Sequence, residues 1–294
     1  MENRSTECVL CGARDFGQLP WYYNYQDIKI FVIRCKRCGL GTLNYCISSA
    51  ERRQFYSAQY FEDGEWSSPS IRGSYRERAF RIKSAFQSTI RYLKVFKNSG
   101  RFLEIGCAGG AALACAKENG YEVTGVEINK TIANWGKYFF NVNILIGTVE
   151  EQNFPKHFFD VIYTGDLIEH LMNPVQFLLQ IHRIMKKDGI LAVSYPTEFN
   201  TFIHCVRGML KIKKKLSSLP YHVFYFTPHV MMDMLSKTGF KPLLMRNEKS
   251  ISFAIRKYMN SLTVPIEFVN YFVTRLTGLY GNRGFVIASR CDLS

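Results

Sequence analysis

The sequence predicts an α/β protein built on a seven-stranded, doubly wound and mostly parallel sheet, preceded by a small cysteine-bearing module. Three observations carry this expectation. From Arg101 onward, short apolar runs alternate with segments of helix length, the pattern of βαβ units. Cap signatures punctuate those helices, with Asn173-Pro174 and Thr227-Pro228 at starts and Gly120, Gly189 and Gly239 just past ends. Two copies of Cys-x-x-Cys-Gly stand within the first forty residues.

The strands are Phe102–Ile105, Tyr121–Val126, Val142–Ile146, Phe159–Tyr163 and Ile190–Tyr195, followed by Lys241–Arg246 and Gly284–Ser289. Helices are expected over Ala111–Asn119, Asn129–Phe140, Asn173 to about Lys187, and from Thr227 up to Gly239. Upstream, Ala79, Phe80, Ile82, Phe86, Ile90, Leu93 and Phe96 recur near a helical period between Ser74 and Phe96, which predicts a helix packed on the sheet. Glu62 to Ser70 reads as a loop by composition. The domain expectation is therefore a module over 1–46, a linker and helix over 47–100, and a main domain over 101–294 with an insertion at 197–226.

Composition narrows the class. With 294 residues, 47% hydrophobic, 15% aromatic and 21% charged content, the chain can bury a core, which excludes disorder, collagen and coiled coil. The longest largely apolar runs, Phe268–Val273 and Ile190–Tyr195, are too short to span a membrane. No apolar segment follows a basic start at the N-terminus, so the expected location is cytoplasmic. The net charge of +14 and pI near 9.4 favour an anionic partner, whether nucleic acid, phosphorylated metabolite or acidic lipid.

The knuckles are Cys8-Val9-Leu10-Cys11-Gly12 and Cys35-Lys36-Arg37-Cys38-Gly39. Each supplies two soft ligands from one tight turn, and together they complete a tetrahedron for structural zinc. The glycine after each second cysteine provides the positive φ that closes the turn. Trp21-Tyr22-Tyr23 and Phe31-Val32-Ile33-Arg34 read as strands that bring the knuckles together. A redox role would require one motif opening a helix in a βαβ unit, and neither copy has that context. The other five cysteines show no ligand spacing and read mostly as small buried hydrophobes.

Open α/β sheets bind ligands beyond the carboxyl ends of their strands. The first such turn is Gly106-Cys107-Ala108-Gly109-Gly110, which departs from the dinucleotide fingerprint in spacing and carries Ala108 at its centre. Glu104 ends the preceding strand, where a carboxylate opposes a pyrophosphate but suits an amino-bearing ligand. This combination resembles motif I of the class I S-adenosylmethionine-dependent methyltransferases, and the resemblance extends over residues 101 to 291. Glu127, 23 residues after Glu104, stands where that family holds the ribose hydroxyls, with Ile128 beside it. Gly147-Thr148-Val149-Glu150 resembles the loop flanking adenine. Asp166-Leu167-Ile168-Glu169-His170 resembles the start of the helix after the fourth strand. Pro220 to Pro228 with Lys237-Thr238-Gly239-Phe240 resembles a stretch of the zinc-ribbon-bearing small-molecule branch. The resemblance implies a Rossmann-like fold and S-adenosylmethionine as cofactor. The cofactor-binding residues it implies are Glu104, Gly106, Cys107, Gly110, Glu127, Ile128, Thr148, Val149, Glu150 and Asp166. Ala108 and Thr148 depart from the family pattern, and both modify affinity.

Methyl transfer draws most of its rate from alignment, and a base helps when the acceptor is a hydroxyl. His222 and His170 are the candidates for that base, with Asp166 near the methionine portion or the acceptor and Glu169 orienting the helix start. His157, His182 and His229 read as surface or packing residues, and His204 lies in the insertion. That insertion carries a stripe of Phe199, Phe202, Ile203, Val206 and Leu210 beside Arg207, Lys211, Lys213, Lys214 and Lys215. It suits a phosphate-bearing or lipid-linked acceptor, or a peripheral membrane contact through 199–216. The expected activity is methylation of a small-molecule oxygen. An RNA methyltransferase using the module and the basic surface is the second reading, and an inactive binding scaffold the third.

Overall fold

A computed structural model of the chain describes residues 7–25, 27–45, 75–197, 208–216, 220–248 and 283–292. The loop expected at Glu62–Ser70, the stripe from Phe199 to Arg207 with His204, the aromatic stretch Phe268–Tyr280, and Cys46 and Cys205 lie outside these residues.

The main sheet has seven strands: β4 (Gly100–Ile105), β5 (Tyr121–Glu127), β6 (Asn143–Ile146), β7 (Phe159–Gly165), β8 (Met185–Pro196), β11 (Phe240–Glu248) and β12 (Arg283–Arg290). Their order is β11-β12-β8-β7-β4-β5-β6. Neighbours from β6 to β8 pair in parallel, while β12 runs antiparallel to both β8 and β11. The sheet is therefore doubly wound, with its order reversing at β4 and the ligand crevice at the carboxyl ends of β4, β5 and β7.

One face is covered by α1 (Tyr75–Phe96), α2 (Ala111–Glu118) and α3 (Lys130–Phe140). Phe86, Ile90 and Leu93 of α1 join a core with Phe102, Val161, Ala192 and Ile287, and the Phe86 ring meets Tyr163 edge-on at 4.8 Å. The other face is covered by α4 (Pro174–Ile184) and α5 (Pro228–Lys237), packed on Ile105, Ile162, Val193 and Val286.

Both proline-marked helix starts fold as their sequences require. The Asn173 side chain accepts the Gln176 N–H at 3.0 Å, and the Thr227 hydroxyl accepts the Val230 N–H at 3.3 Å. Helix α4 ends at Ile184, short of Lys187, because Met185 already pairs with Phe159 and begins β8. Tertiary pairing thus overrides local helix preference there.

A second, five-stranded sheet holds β1 (Phe16–Tyr25), β2 (Ile28–Cys35), β3 (Gly41–Leu43), β9 (Lys214–Lys215) and β10 (Phe224–Tyr225), ordered β10-β3-β2-β1-β9. Two of its strands come from the stretch expected as an insertion in the main domain. The N-terminal sheet and these two described segments form one layer, and Leu10, Cys35 and Leu40 share a core with Val223, Phe226 and Val230.

Candidate active site

The crevice is built from turns that follow four parallel strands. After β4, the chain turns through Gly106 (φ 73°), Ala108 (φ 46°) and Gly110 (φ 71°), all in the left-handed region. Glycine adopts that region freely, whereas Ala108 must be held there. Glu127 holds it: one carboxylate oxygen accepts the Ala108 N–H at 2.8 Å and the other accepts the Asn129 N–H at 2.8 Å. Asn129 in turn caps α3 by accepting the Ile132 N–H at 3.1 Å. Gly136 of α3 lets that helix close on the turn, since a Cβ there would lie 2.4 Å from the Gly109 carbonyl oxygen.

Buried carboxylates dominate this half of the site. Burial raises Glu104 well above the ordinary carboxylate range, with the Glu127 charge adding to it. Burial likewise raises Glu127, against the N–H groups of Asn129, Ala108 and Ile128. One Glu104 oxygen is buried with no hydrogen-bond partner among the described residues. An orphaned buried acceptor of this kind calls for a donor. Cys107 is buried, and Ile128 is exposed beside Glu127. In the loop after β6 the Thr148 N–H is taken by Glu151 at 2.7 Å, Val149 is buried and Glu150 is exposed. Glu104, Gly106, Cys107, Gly110, Glu127 and Ile128 therefore gather at the ends of β4 and β5, with Thr148, Val149 and Glu150 in the loop following the adjacent β6.

Asp166 follows β7 at φ 52° and is paired elsewhere. Its two oxygens accept from Arg283, both at 2.8 Å, and Arg283 also reaches the Ser194 hydroxyl at 2.9 Å. Sequence reading missed Arg283, because it enters β12 from 117 residues away.

The two candidate histidines do meet. His170 lies in a 3-10 turn (Ile168–His170), and His222 precedes β10. Their rings stand edge-to-face with centroids 4.8 Å apart. His170 Nδ1 is 3.0 Å from the Tyr221 carbonyl, which only accepts, so Nδ1 carries a proton and Nε2 is the nitrogen turned to the cluster. That Nε2 faces a Glu169 oxygen at 3.6 Å. Glu169 is 1% exposed, and its other oxygen has no partner among the described residues. Burial, reinforced by the Asp166 charge, raises it to about 8. Glu169 is thus a member of the cluster and not only an element of helix geometry. The signal for it, a carboxylate directly before His170, was present in the sequence. The other described histidines pack as expected, with His182 against the Cys291 carbonyl and Phe240, and His157 near Met185 and Arg290.

At the N-terminal knuckles the four thiols converge. Cys8 and Cys38 sulfurs are 3.5 Å apart, Cys11 and Cys35 sulfurs 3.6 Å, and all four lie within 4.8 Å. These separations are far too long for disulfides and near the roughly 3.8 Å edge of a zinc–thiolate tetrahedron. Gly12 (φ 71°) and Gly39 (φ 81°) close the two turns, donating to the Cys8 and Cys35 carbonyls at 2.8 and 2.9 Å.

A family model described as a methyltransferase domain matches residues 75–244, more than half of the chain. The chain belongs to the class I methyltransferase family. The "Ubiquinone biosynthesis O-methyltransferase" of Rickettsia canadensis is 26% identical over 180 residues, 58% of this chain and 73% of that protein. The protein of the same description from Rickettsia akari is 22% identical over 237 residues, 77% and 92% of the two chains. Among solved structures, a SAM-dependent methyltransferase from Archaeoglobus fulgidus superposes with a TM-score of 0.52 at 22% identity, covering 73% of this chain and 97% of that one. The magnesium protoporphyrin IX methyltransferase of Synechocystis, solved with bound SAH, gives 0.55 at 11% identity, covering 83% and 100%. These structural likenesses speak for the fold. The family reaction uses S-adenosylmethionine, and the donor-hungry Glu104 oxygen suits its cationic, amino-bearing methionine end. Among the described residues, no helix is long and apolar enough to cross a membrane.

Glu169 also makes stability depend on pH. Its folded value near 8 lies above an unfolded value of about 4.3. The folded state therefore keeps a proton that the unfolded chain releases, and stability falls as pH rises from about 4.3 to about 8. Glu104 and Glu127 are shifted the same way and add to the slope. Urea midpoints measured between pH 5 and 8 should fall in the wild type, and Glu169→Gln should flatten part of that fall.

Proposed function

We propose that this enzyme transfers the methyl group of S-adenosylmethionine to an oxygen of a small molecule, with His222 as proton acceptor and His170 behind it. The observation that carries the reading is the convergence of Glu169, His170 and His222 beside the strand ends where the family binds its cofactor. S-adenosylmethionine supplies an electrophilic methyl on a sulfonium. The residues that hold it are Glu104, Gly106, Cys107, Gly110, Glu127, Ile128, Thr148, Val149, Glu150 and Asp166. Glu127 retains a second lone pair on each oxygen after binding the turn, and these accept from the ribose hydroxyls. Glu104 accepts from the amino group.

The chain's contribution to the chemistry is alignment and proton removal. His222 takes the acceptor's hydroxyl proton. Glu169, neutral near pH 7 and 3.6 Å from His170 Nε2, keeps His170 oriented and limits the negative charge behind the reacting oxygen. His222→Ala should lower kcat at least about 100-fold while leaving S-adenosylmethionine affinity unchanged, measured as S-adenosylhomocysteine released with a panel of hydroxylated acceptors. Glu127→Ala should weaken S-adenosylmethionine about 10- to 100-fold by calorimetric titration. Unaltered affinity would remove Glu127 from the ribose role.

The name of the relatives, an O-methyltransferase of ubiquinone biosynthesis, supports oxygen as the accepting atom. An apolar, lipid-linked or anionic acceptor also fits the surface at 208–216. There Met209 (83% exposed), Leu210 (65%) and Ile212 (49%) alternate with exposed Lys211, Lys213 and Lys215, a composition suited to peripheral contact with an anionic membrane through 199–216. No feature of the site favours RNA over a small molecule. Salt-dependent binding of bulk RNA in the same titration would reverse that preference.

The four N-terminal thiols, in this reading, hold a structural zinc. Their tetrahedral spacing supports it, and four thiolates leave no position for water, so the ion is a staple. Purified protein should carry about one zinc per chain by elemental analysis. Cys8→Ser should lose it and lower the thermal midpoint by roughly 10 °C.

A further inference from the structure

We propose that Thr42 is a positioning residue for His222, so that the metal-bearing sheet sets the geometry of the proton acceptor. The inference rests on the reading of His222 given above and names what holds that residue in place.

His222 sits between two residues whose backbone is tied on both sides. Before it, the Tyr221 carbonyl accepts from His170 Nδ1 at 3.0 Å. After it, the Val223 N–H donates to the Glu169 carbonyl at 2.8 Å, and the Val223 carbonyl accepts from the Thr42 hydroxyl at 2.9 Å. The 3-10 turn thus fixes one edge of the segment and the N-terminal sheet fixes the other. Thr42 and Val223 are both buried, so the hydroxyl has no water competing for its place.

The hold continues down the strand. Phe224 pairs with Thr42 and Tyr225 with Gly41, and a Cβ at Gly41 would lie 2.9 Å from the Tyr225 Cβ. The Tyr225 hydroxyl meets that of Tyr23 on β1 at 2.9 Å, in the interior. Strand β3 leaves the second knuckle directly: Gly39 closes it, the Leu40 carbonyl accepts the Cys35 N–H at 3.0 Å, and Gly41 begins the strand. A change in the knuckle therefore reaches Val223 through four residues, Gly39 to Thr42. The cofactor turns at Gly106–Gly110 and Glu127 are held by contacts among residues 104–144 and with Leu167, none of which involves Gly39 to Thr42.

Thr42→Val keeps the branched shape and removes only the donor, taking one hydrogen bond from the buried Val223 carbonyl. By hydrogen exchange read at single amides, Val223 should exchange at least about tenfold faster in Thr42→Val, a loss of ~1.4 kcal/mol of protection. Thr42→Ser should restore it, and amides of 102–126 should not change. Stripping zinc from the wild-type protein should produce the same local acceleration at 221–225, with S-adenosylmethionine affinity retained. Val223 protected to the wild-type level in Thr42→Val, or acceleration spread equally over 102–126, would overturn the proposal, as would metal-free protein with Val223 still protected. Activity surviving in His222→Ala would instead remove the base reading, and the exchange pattern would stand apart from it.

Discussion

One buried carboxylate holds together the half of this crevice built at the ends of β4 and β5. Glu127 ends β5, and its two oxygens accept one N–H from the turn after β4 and one from the residue capping α3. Without it, Ala108 would have nothing to offset a left-handed backbone that costs a non-glycine residue on the order of 1 kcal/mol. The turn, the helix start and the strand end would then move separately. Fitting Gly136 of α3 against Gly109 depends on the same register, because that contact is backbone against helix with no side chain to yield.

The electrostatics follow from that arrangement. Placing Glu104, Glu127 and Glu169 out of water raises all three, so the crevice by itself favours protons where a cationic ligand would favour carboxylates. Asp166 is instead bound by Arg283 through two hydrogen bonds on the sheet's antiparallel side. In the proposed reading, a ligand bearing a sulfonium and an ammonium releases the cost of those buried acids on binding, which couples cofactor affinity to pH without any titrating group touching the methyl.

What the sequence disclosed was local. Helix caps at Asn173 and Thr227, the positive φ of Gly12 and Gly39, and the alternation of strands and helices along the chain each depend on residues a few positions apart, and each is found as read. The carboxylate beside His170 was equally visible, but burial gives it its character, and burial comes from packing. Partners across the fold were hidden. Arg283 reaches Asp166 over 117 positions, Thr42 reaches Val223 over 181 and Tyr23 reaches Tyr225 over 202. No periodicity encodes such pairs. The end of α4 was misplaced for the same reason, since Met185 is claimed by Phe159 of a neighbouring strand.

The two halves of the crevice consequently differ in construction. In the proposed reading, the cofactor half is drawn mostly from one stretch of about fifty residues, Glu104 to Glu151, whose contacts are largely between successive units, with Asp166 the exception beyond it. Its counterpart is braided from three stretches: the 3-10 turn and the N-terminal sheet each hydrogen-bond the residues that flank His222 in the segment before β10. A contiguous half keeps its geometry when distant parts of the chain change, whereas a braided half registers changes in any of its three strands of support. In the proposed reading, substitutions in the N-terminal sheet should therefore alter how an acceptor meets His222 before they alter how the cofactor is held. A metal held by the four thiols at the root of β3 would suit that asymmetry, because it would stiffen the one support that a sheet of short edge strands leaves weakest.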